Sequence, residues 1–381
     1  MNIPFNVPYL TGNEMRYIQE AASNLKLSGN GAFTQRCQHY FEQRYGFGKC
    51  LLTTSCTDAL EMAAILANIG PGDEVIVPSF TFVSTALAFV RQGATIVFAD
   101  SESTTPNIDT TRIGELITDR TKAIVPVHYA GVSCDMDAIM DIAARHNLLV
   151  IEDAAQAIDS YHISHDGTRR ALGSIGHMAA FSFHETKNII AGEGGMLTLN
   201  DPRFFERSEI IWEKGTDRSK FFRGEVDKYG WVDTGSSFLP SEITAAFLWA
   251  QIEQLDDIQR RRLEIWSLYD SQFKNLDANA GLSRPFVPEY ATNNSHMYYL
   301  VARDVVLRDA TLARLKTRGA NAVFHYQSLH RSDFMKGITD KVLDQSDRYS
   351  SSLFRLPFYY HLGYEEIEAV ADLILKNDDG Q

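Results

Sequence analysis

The feature that most constrains the fold of this chain is a series of short apolar runs, rich in valine and isoleucine, in its N-terminal half. The runs occupy positions 49–54, 73–78, 94–100, 122–128 and 148–153. Helix-like segments separate these runs. A strand that is apolar along its whole length is buried on both faces, whereas a strand with one solvated face alternates. The sequence therefore predicts an α/β fold with a mostly parallel sheet covered by helices on both sides.

The second half of the chain shows a different pattern. Two further strands, at 178–183 and 195–200, follow each other closely, and a helical pattern then runs from Ser241 to about Phe273. We interpret that pattern as one long helix connecting a large domain to a smaller one. The remaining residues mix strands and helices as an α+β domain does; these are predicted at 296–304, 309–319, 322–327 and 365–377. The predicted organisation is an N-terminal arm (1–12), a large domain (13–245), and the connecting helix with a small C-terminal α+β domain (246–381).

Composition excludes several classes of function. The formal net charge is -13, which disfavours binding to nucleic acid or to an anionic membrane surface. Neither a signal peptide nor an apolar run of about 18 residues is recognisable, so a cytoplasmic protein is expected. The four cysteines form no C-x-x-C pair and no metal-ligand spacing, so we expect reduced thiols and no metal; they are Cys37, Cys50, Cys56 and Cys134.

Polar, aromatic and basic residues follow the predicted strands, and in an open parallel sheet that edge binds ligands. The candidates are Thr57, Asp58, Phe80, Phe82, Asp153, Gln156, Ser182 and Lys187. Taken singly, each has an ordinary explanation, such as a helix cap for Asp153, core packing for the phenylalanines or a solvated surface position for Lys187.

Taken together, these residues fit one cofactor, pyridoxal 5'-phosphate. This cofactor needs a lysine for its Schiff base, an anion cradle for its phosphate, an apolar ring beside its own ring, and a carboxylate on its pyridine nitrogen. Lys187, the helix start at Thr57, Phe82 and Asp153 could supply these parts. No G-x-G-x-x-G follows an early strand, which argues against a nicotinamide enzyme.

Several longer stretches carry a resemblance to a known family. They include "SCTDALEMAA", "GDEVIVPSFTFVSTALAF", "VIEDAAQA", "FSFHETKN", "GEGGML" and "VFHYQSLH". Over its full length the chain resembles the DegT/StrS family of nucleotide-sugar aminotransferases, which implies the aspartate-aminotransferase (type I) fold. The stretches "FSFHETKN" and "EKGTDRSKFFRGEVDKYGW" are most similar to a subgroup that makes dTDP-4-amino-4,6-dideoxygalactose.

The resemblance implies roles for the residues around the cofactor ring. Lys187 is expected to bind the cofactor covalently and then to carry a proton between donor and cofactor. Asp153 is expected to pair with the pyridine nitrogen, Gln156 to bond the phenolic oxygen, and Phe82 to stack on the ring.

A second set of implied roles concerns the phosphate. Thr57, the backbone N–H of Asp58, and Ser182 are expected to hold it. Many family members add an asparagine from the neighbouring subunit, in a stretch that also carries an arginine. Here these positions are Ser237 and Leu239, so the part of the site shared between subunits departs from the family pattern.

Substrate contacts are expected from two further stretches. "FHYQSLH" matches a family element near the active site, so His325, Tyr326 and His330 are either substrate contacts or packing residues at the domain junction. Lys214 and Arg223 either meet the diphosphate of a nucleotide sugar or belong to an exposed basic loop.

Two other groups of polar residues are interpreted without a function. His162 and His165 have loose metal-like spacing, but they lie in a polar stretch expected to be an exposed hairpin. The arginines at 260–262 are expected on the solvent face of the long helix.

The implied reaction is transamination by a homodimer. An amino group moves from L-glutamate, which leaves as 2-oxoglutarate, to C4 of dTDP-4-keto-6-deoxyglucose for surface polysaccharide such as O-antigen or enterobacterial common antigen. Alternatives are the gluco-configured 4-amine, amination at C3, a dehydratase and a regulatory paralogue. The dehydratases carry histidine at the position of Lys187, and the retained lysine, Asp153 and Gln156 make the regulatory alternative the weaker one.

Overall fold

The computed structural model describes residues 2–276, 281–339 and 341–375. Its strands are β1 (Lys49–Thr53), β2 (Glu74–Pro78), β3 (Thr95–Ala99), β4 (Thr121–Ile124), β5 (Leu149–Asp153), β6 (Tyr161–Ile163), β7 (Arg169–Ala171), β8 (Met178–Ser182), β9 (Gly195–Leu199), β10 (Leu282–Ser283), β11 (Tyr299–Ala302), β12 (Val323–Phe324) and β13 (Leu353–Arg355). Its α-helices are α1 (Glu14–Ser23), α2 (Ala32–Tyr45), α3 (Cys56–Leu66), α4 (Val83–Val90), α5 (Met136–His146), α6 (Phe205–Trp212), α7 (Arg218–Phe222), α8 (Glu242–Glu253), α9 (Leu255–Gln272), α10 (Val305–Thr317), α11 (Asp344–Ser352) and α12 (Tyr364–Leu375).

The largest sheet has seven strands in the order β1-β9-β8-β5-β4-β2-β3. The pairs from β8 to β3 are parallel, while β9 runs antiparallel to both of its neighbours, β8 and β1. The predicted α/β fold with a mostly parallel, mixed sheet is therefore confirmed.

Both faces of this sheet are covered, as the continuous apolar runs predict. In β2, Ile76 packs into one hydrophobic cluster, whereas its neighbours Val75 and Val77 pack into another. In β5, Val150 and Ile151 divide between the same two clusters. Because successive side chains of a strand point to opposite faces, the two clusters are the two helix-covered sides of the sheet.

A four-stranded antiparallel sheet in the order β10-β11-β13-β12 forms a second layer. Its core includes Leu300 and Phe354, and it is covered by residues of α9 and α12. The N-terminal arm reaches this layer: Ile3 pairs with Ala320, and the Phe5 carbonyl accepts a hydrogen bond from the Phe358 amide at 3.1 Å.

The expectation of one long helix from Ser241 to Phe273 is wrong. The chain leaves helical geometry at Gln254 (φ -108°, ψ 11°) and forms α8 and α9 instead. Residues of α8 join the core beneath the seven-stranded sheet, whereas Ile265 and Tyr269 of α9 join the core of the small sheet. Leu255 and Ile258 at the start of α9 still belong to the first core, so the change from one core to the other occurs along α9. The proposed domain boundary at residue 245 falls within α8 and stays a prediction.

The helix predicted at 365–377 corresponds to α12, and its last two predicted residues lie outside the described part of the chain. None of the helices that the structure describes has both the length and the apolar character needed to span a bilayer.

Two expectations of solvent exposure are wrong. Arg262 is buried, because the segment after Asn294 folds over α9 and its carbonyls accept the guanidinium: the Ser295 oxygen lies 3.1 Å from Nε, and the His296 oxygen 2.5 Å from Nη2. His162 is buried too, with Nδ1 3.2 Å from the Ser133 hydroxyl, although His165 in the same hairpin is exposed.

Candidate active site

Asp153 is the last residue of β5, so its carboxylate lies at the edge where parallel sheets bind ligands. Its Oδ2 accepts a hydrogen bond from the Thr85 hydroxyl at 2.7 Å, and its Oδ1 accepts one from the Ala155 amide at 3.1 Å. Burial raises the pKa of Asp153; these hydrogen bonds and the nearby charge of Lys187 oppose the rise. The site thus contains a buried carboxylate that is fixed in orientation.

Lys187 follows β8, the neighbour of β5, in a loop that returns directly to β9. The loop closes through hydrogen bonds between the Phe183 amide and the Gly194 carbonyl (2.8 Å) and between the Ala191 amide and the Phe183 carbonyl (2.7 Å). A Cβ on Gly195 would lie 2.3 Å from the carbonyl carbon of Ser55, so only glycine lets β9 approach the start of α3 this closely. Gly195 therefore allows the loop that carries Lys187 to lie close to the start of α3.

The environment of Lys187 favours its neutral form. Burial lowers the pKa of the ammonium group, the nearby Cys56 and Asp153 oppose the decrease, and the positive charge of Arg355 adds to it. Among the described residues, the amine has no hydrogen-bond or ion-pair partner. A lowered pKa makes an unpaired amine a better nucleophile, because a larger fraction of it is unprotonated at a given pH.

Gln156, Tyr326 and Phe82 form a wall beside this pair. Gln156 Oε1 accepts a hydrogen bond from the Ala130 amide at 2.7 Å, and its Nε2 donates to the Tyr326 hydroxyl at 3.0 Å. The Phe82 ring is 55% exposed and lies 6.0 Å from the Tyr326 ring, whereas Phe80 is buried in the core. Phe82 therefore has a free face, as stacking on a flat ligand requires.

The start of α3 is only partly available to an anion. The Ser55 hydroxyl accepts a hydrogen bond from the Asp58 amide at 3.1 Å and caps the helix, so the amide expected to bind phosphate has a partner. Thr57 Oγ1 lies 2.7 Å from Ser84 Oγ, and this hydroxyl pair fits a phosphate better. Ser182 Oγ accepts only a long bond, 3.4 Å, from the His184 amide.

The three residues of "FHYQSLH" separate into two places. His325 and Tyr326 join the cluster around Lys187, since His325 Nδ1 lies 2.7 Å from the Tyr129 hydroxyl and Tyr326 bonds Gln156. His330 instead lies beyond the end of β2, where its Nδ1 is 2.6 Å from the Ser79 hydroxyl.

The loop residues Lys214 and Arg223 lie on the surface, and their expected role near a diphosphate stays a prediction. Arg223 is paired with two carboxylates, Glu209 at 2.7 Å and Glu225 at 2.6 Å, and Lys214 is exposed. Ser237 is exposed, and its backbone pairs with that of Glu213 in an isolated antiparallel β-bridge. Within the part of the chain that the structure describes, none of the predicted loop residues contacts Lys187 or Asp153.

Several residues of the site were missed by sequence reasoning. Thr85 lies within α4 and gives no signal. His128 follows β4 and could have been found by its place after a strand. Its Nδ1 accepts a hydrogen bond from the Cys134 amide at 3.2 Å. The proton is therefore on Nε2, which donates to Glu152 at 2.9 Å. Burial alone would raise the pKa of Glu152, but hydrogen bonds from His128 and from the amides of Gly173 and Gly176 lower it. This buried network fixes β5 immediately before Asp153.

The site combines a nucleophilic lysine with a buried carboxylate, at the ends of neighbouring parallel strands and beside a free aromatic face. This combination defines a class of protein. These groups fit pyridoxal phosphate, whose aldehyde bonds a lysine and whose ring nitrogen bonds a carboxylate. Together with the mixed seven-stranded sheet, they define an enzyme of the aspartate-aminotransferase fold.

The comparison with known families agrees with this class. Residues 8–375 match the DegT/DnrJ/EryC1/StrS aminotransferase family, and the chain belongs to that family. It is 33% identical to the spore coat polysaccharide biosynthesis protein SpsC of Bacillus subtilis, over 98% of this chain and 97% of the relative. It is 34% identical to a GDP-perosamine synthase of Caulobacter vibrioides, over 84% of this chain and 83% of the relative.

Solved structures agree with the fold. The aminotransferase TlmJ of Streptoalloteichus hindustanus superposes with a TM-score of 0.89 at 28% identity, covering 98% of both chains. The protein Spr1654 of Streptococcus pneumoniae has the same fold and superposes with a TM-score of 0.88 at 23% identity, again over 98% of both chains. The protein is a sugar aminotransferase that uses pyridoxal phosphate.

Proposed function

We propose that the protein transfers an amino group from L-glutamate to C4 of dTDP-4-keto-6-deoxy-D-glucose, giving dTDP-4-amino-4,6-dideoxy-D-galactose for surface polysaccharide. The observation that carries the aminotransferase chemistry is that Lys187, whose pKa is lowered, and the buried Asp153 follow adjacent strands at the same edge of the sheet. The subgroup resemblance of "FSFHETKN" and of the stretch after Glu213 supports the choice of sugar.

In this proposal Lys187 has two tasks. Its amine would hold bound pyridoxal phosphate covalently, and when free it would act as the base that takes up the α-proton of the donor and gives a proton back. Bound pyridoxal phosphate supplies the electron sink. Asp153 keeps the pyridine nitrogen protonated, so the charge that develops after proton removal is stabilised.

The neighbouring residues orient the cofactor. Phe82 covers the ring, Gln156 bonds the phenolic oxygen, and Thr57, with the Asp58 amide and Ser182, holds the phosphate. In a homodimer, Ser237 of one protomer contacts the cofactor phosphate that its partner binds. The exposure of Ser237 in the single chain is consistent with this role. His325 and Tyr326 contact the sugar, because they line the same cluster as Lys187.

The similarity to a GDP-perosamine synthase favours a second candidate, in which the same reaction acts on a GDP-linked keto sugar. The gluco-configured 4-amine and amination at C3 remain alternatives for the product. A regulatory, non-enzymatic paralogue is disfavoured because Lys187, Asp153 and Gln156 are all retained and assembled.

One experiment distinguishes these products. The purified holoenzyme is incubated with glutamate and either the dTDP- or the GDP-linked 4-keto-6-deoxyhexose, and 2-oxoglutarate and the aminated sugar are followed. The proton couplings at C3, C4 and C5 give the position and configuration of the amine. An axial C4 amine formed only from the dTDP sugar is expected. An equatorial amine, a C3 amine or exclusive use of the GDP sugar would overturn the assigned substrate or product.

A further inference from the structure

His296 is a buried histidine, 6% exposed, that contacts the residue immediately after Lys187. Its Nδ1 lies 2.8 Å from Oδ1 of Asn188. The Nδ2 group of Asn188 donates to Gln259 Oε1 at 2.8 Å and to the Asn294 carbonyl at 3.0 Å. Because an amide oxygen can only accept a hydrogen bond, the histidine must donate, and its proton is on Nδ1. The side chain that follows the lysine is therefore fixed through both its oxygen and its nitrogen.

The hydrogen bond from His296 does not require a charged ring. Burial lowers the pKa of His296 well below its usual value, and the positive charges of Lys187 and Arg262 add to the decrease. The ring is therefore neutral near neutral pH and keeps its single proton on the nitrogen that faces Asn188. The backbone that carries the ring is also fixed, since Arg262 of α9 donates to the Ser295 and His296 carbonyls.

The same short segment is attached to the loop that follows β5. Asn294 Nδ2 donates to the Gln156 carbonyl at 2.8 Å, and Asn294 Oδ1 accepts a hydrogen bond from the His296 amide at 3.0 Å. A Cβ on Gly131, whose φ is +75°, would lie 1.9 Å from Asn294 Oδ1, so only glycine leaves room for this side chain. Residues 294–296 therefore connect the loop of the lysine with the loop of the glutamine.

The other hydrogen bonds around the lysine lie within its own loop. The Glu185 amide donates to the Gly192 carbonyl and the Lys187 amide donates to the His184 carbonyl, both at 2.9 Å. The Asn188 side chain instead bonds groups that are 71 to 108 positions away along the chain. Loss of the bond from the histidine would therefore loosen the lysine at a point where its loop is attached to the rest of the protein.

We propose that His296 is a positioning residue for Lys187: acting through Asn188, it fixes the lysine relative to Gln156. This inference rests on the proposed function, in which the lysine bonds the aldehyde carbon of pyridoxal phosphate and the glutamine bonds its phenolic oxygen. These two groups are attached to neighbouring carbons of the cofactor ring, so the two side chains must keep a fixed relative position. A displacement of about 1 Å in such an arrangement costs about 100-fold in rate.

The test measures how fast the full-length protein, freed of its cofactor, attaches added pyridoxal phosphate. Absorbance follows the bond to the lysine, borohydride traps it, and the temperature is one at which each variant is folded. His296→Leu removes the donor, whereas His296→Asn carries an amide nitrogen on Cγ, as Nδ1 of histidine is carried. Leu300→Ala, in the core of the small sheet, is a control for lost stability. We expect attachment to slow at least about tenfold in His296→Leu, and to stay within about threefold of the wild type in His296→Asn and about twofold in Leu300→Ala.

The holoenzyme gives a second measure. In His296→Leu the rate of the glutamate half-reaction should fall at least about tenfold while the KM for glutamate stays within about twofold, because the change displaces the lysine and not a substrate contact. Attachment at the wild-type rate in His296→Leu, an equal loss in Leu300→Ala, or no recovery in His296→Asn overturns the proposal. If His296→Leu does not fold, His296→Gln, whose amide nitrogen lies one bond farther out, replaces it under the same criteria. If the attachment rates follow the expected pattern but the wild type aminates no keto sugar, the proposed function fails and the positioning role stands.

Discussion

The Thr85 hydroxyl donates its hydrogen bond to Oδ2 of Asp153 over 2.7 Å, and the Thr81 hydroxyl lies 2.8 Å behind it. Because Thr85 donates to the carboxylate, Thr81 must be the donor in the second bond. The two hydroxyl dipoles therefore both point towards Asp153. They stabilise its ionised form, although burial raises the pKa of the carboxyl group.

Replacing Thr85 with valine should weaken catalysis while preserving the fold, since valine has nearly the shape of threonine. A hydrogen bond to a charged group is worth about 1.5–3 kcal/mol, which corresponds to a decrease in kcat/KM of about 10- to 100-fold if Asp153 must be ionised and oriented. Thr85→Ser keeps the hydroxyl and should retain most of the activity. Equal rates for the valine and serine variants would show that this hydrogen bond does not serve Asp153.

The assignment of Lys187 can be tested chemically. The purified protein should be yellow from bound pyridoxal phosphate, and borohydride should reduce the bond between cofactor and lysine into a permanent attachment. Peptide mapping by mass spectrometry should then find the cofactor on the peptide that contains Lys187. An adduct on another lysine, or none at all, would remove Lys187 from its proposed role.

Assembly is testable through the loop that carries Ser237. The segment before that residue exposes large apolar side chains, namely Phe222, Tyr229, Trp231 and Val232, with Trp231 85% exposed. Exposed apolar groups that cluster in this way mark interaction surfaces, and we expect them in a homodimer interface. Sedimentation at micromolar concentration should give a dimer, which Trp231→Glu should weaken and Phe334→Glu, at an exposed position elsewhere, should not. A fully active monomer would contradict the proposed shared site.

The sequence allowed the prediction of those site residues that depend on chain order alone. Asp153 and Lys187 follow apolar strands directly, and parallel strands bring their carboxyl ends to one edge. Thr85 could not be found in this way. Thr85 is 68 residues from Asp153 and meets it only because α4 packs beside the end of β5.

The errors have the same origin. Three consecutive arginines at 260–262 suggest a solvated helix face, yet the third is buried by backbone carbonyls that are distant in sequence. The break at Gln254 has neither proline nor glycine to mark it. The start of α9 still packs into the same core as α8, and only its later part joins the core of the small sheet, so the local sequence does not mark the change of direction.

Replacing Asp153 with asparagine should separate stability from activity. In the protein freed of cofactor, the asparagine carbonyl can accept the Ala155 amide and its NH₂ group can donate to Thr85, whose hydroxyl then turns towards Thr81. The Thr81 proton and the second asparagine N–H then lack a partner among these groups, but the larger cost of burying an ionised carboxylate disappears. The cofactor-free variant should therefore unfold at the same temperature as the wild type or a higher one. Activity should fall at least about 100-fold, because more than one charged hydrogen bond of about 1.5–3 kcal/mol is lost with the electron sink.

The pH dependence of unfolding checks the cause. The folded pKa of Asp153 is raised above its ordinary value of 3.8, so between these two values the folded state binds more protons than the unfolded state. The contribution of Asp153 to the free energy of unfolding is therefore fully present below pH 3.8 and is lost as the pH rises through the folded pKa. The stability advantage of Asp153→Asn in the cofactor-free protein should accordingly appear as the pH rises through that window and persist at neutral pH. Thr85→Val serves as the comparison, because it keeps the carboxylate. If Asp153→Asn instead destabilised the cofactor-free protein and turned over near the wild-type rate, Asp153 would be a structural cap after β5 and not the partner of the cofactor.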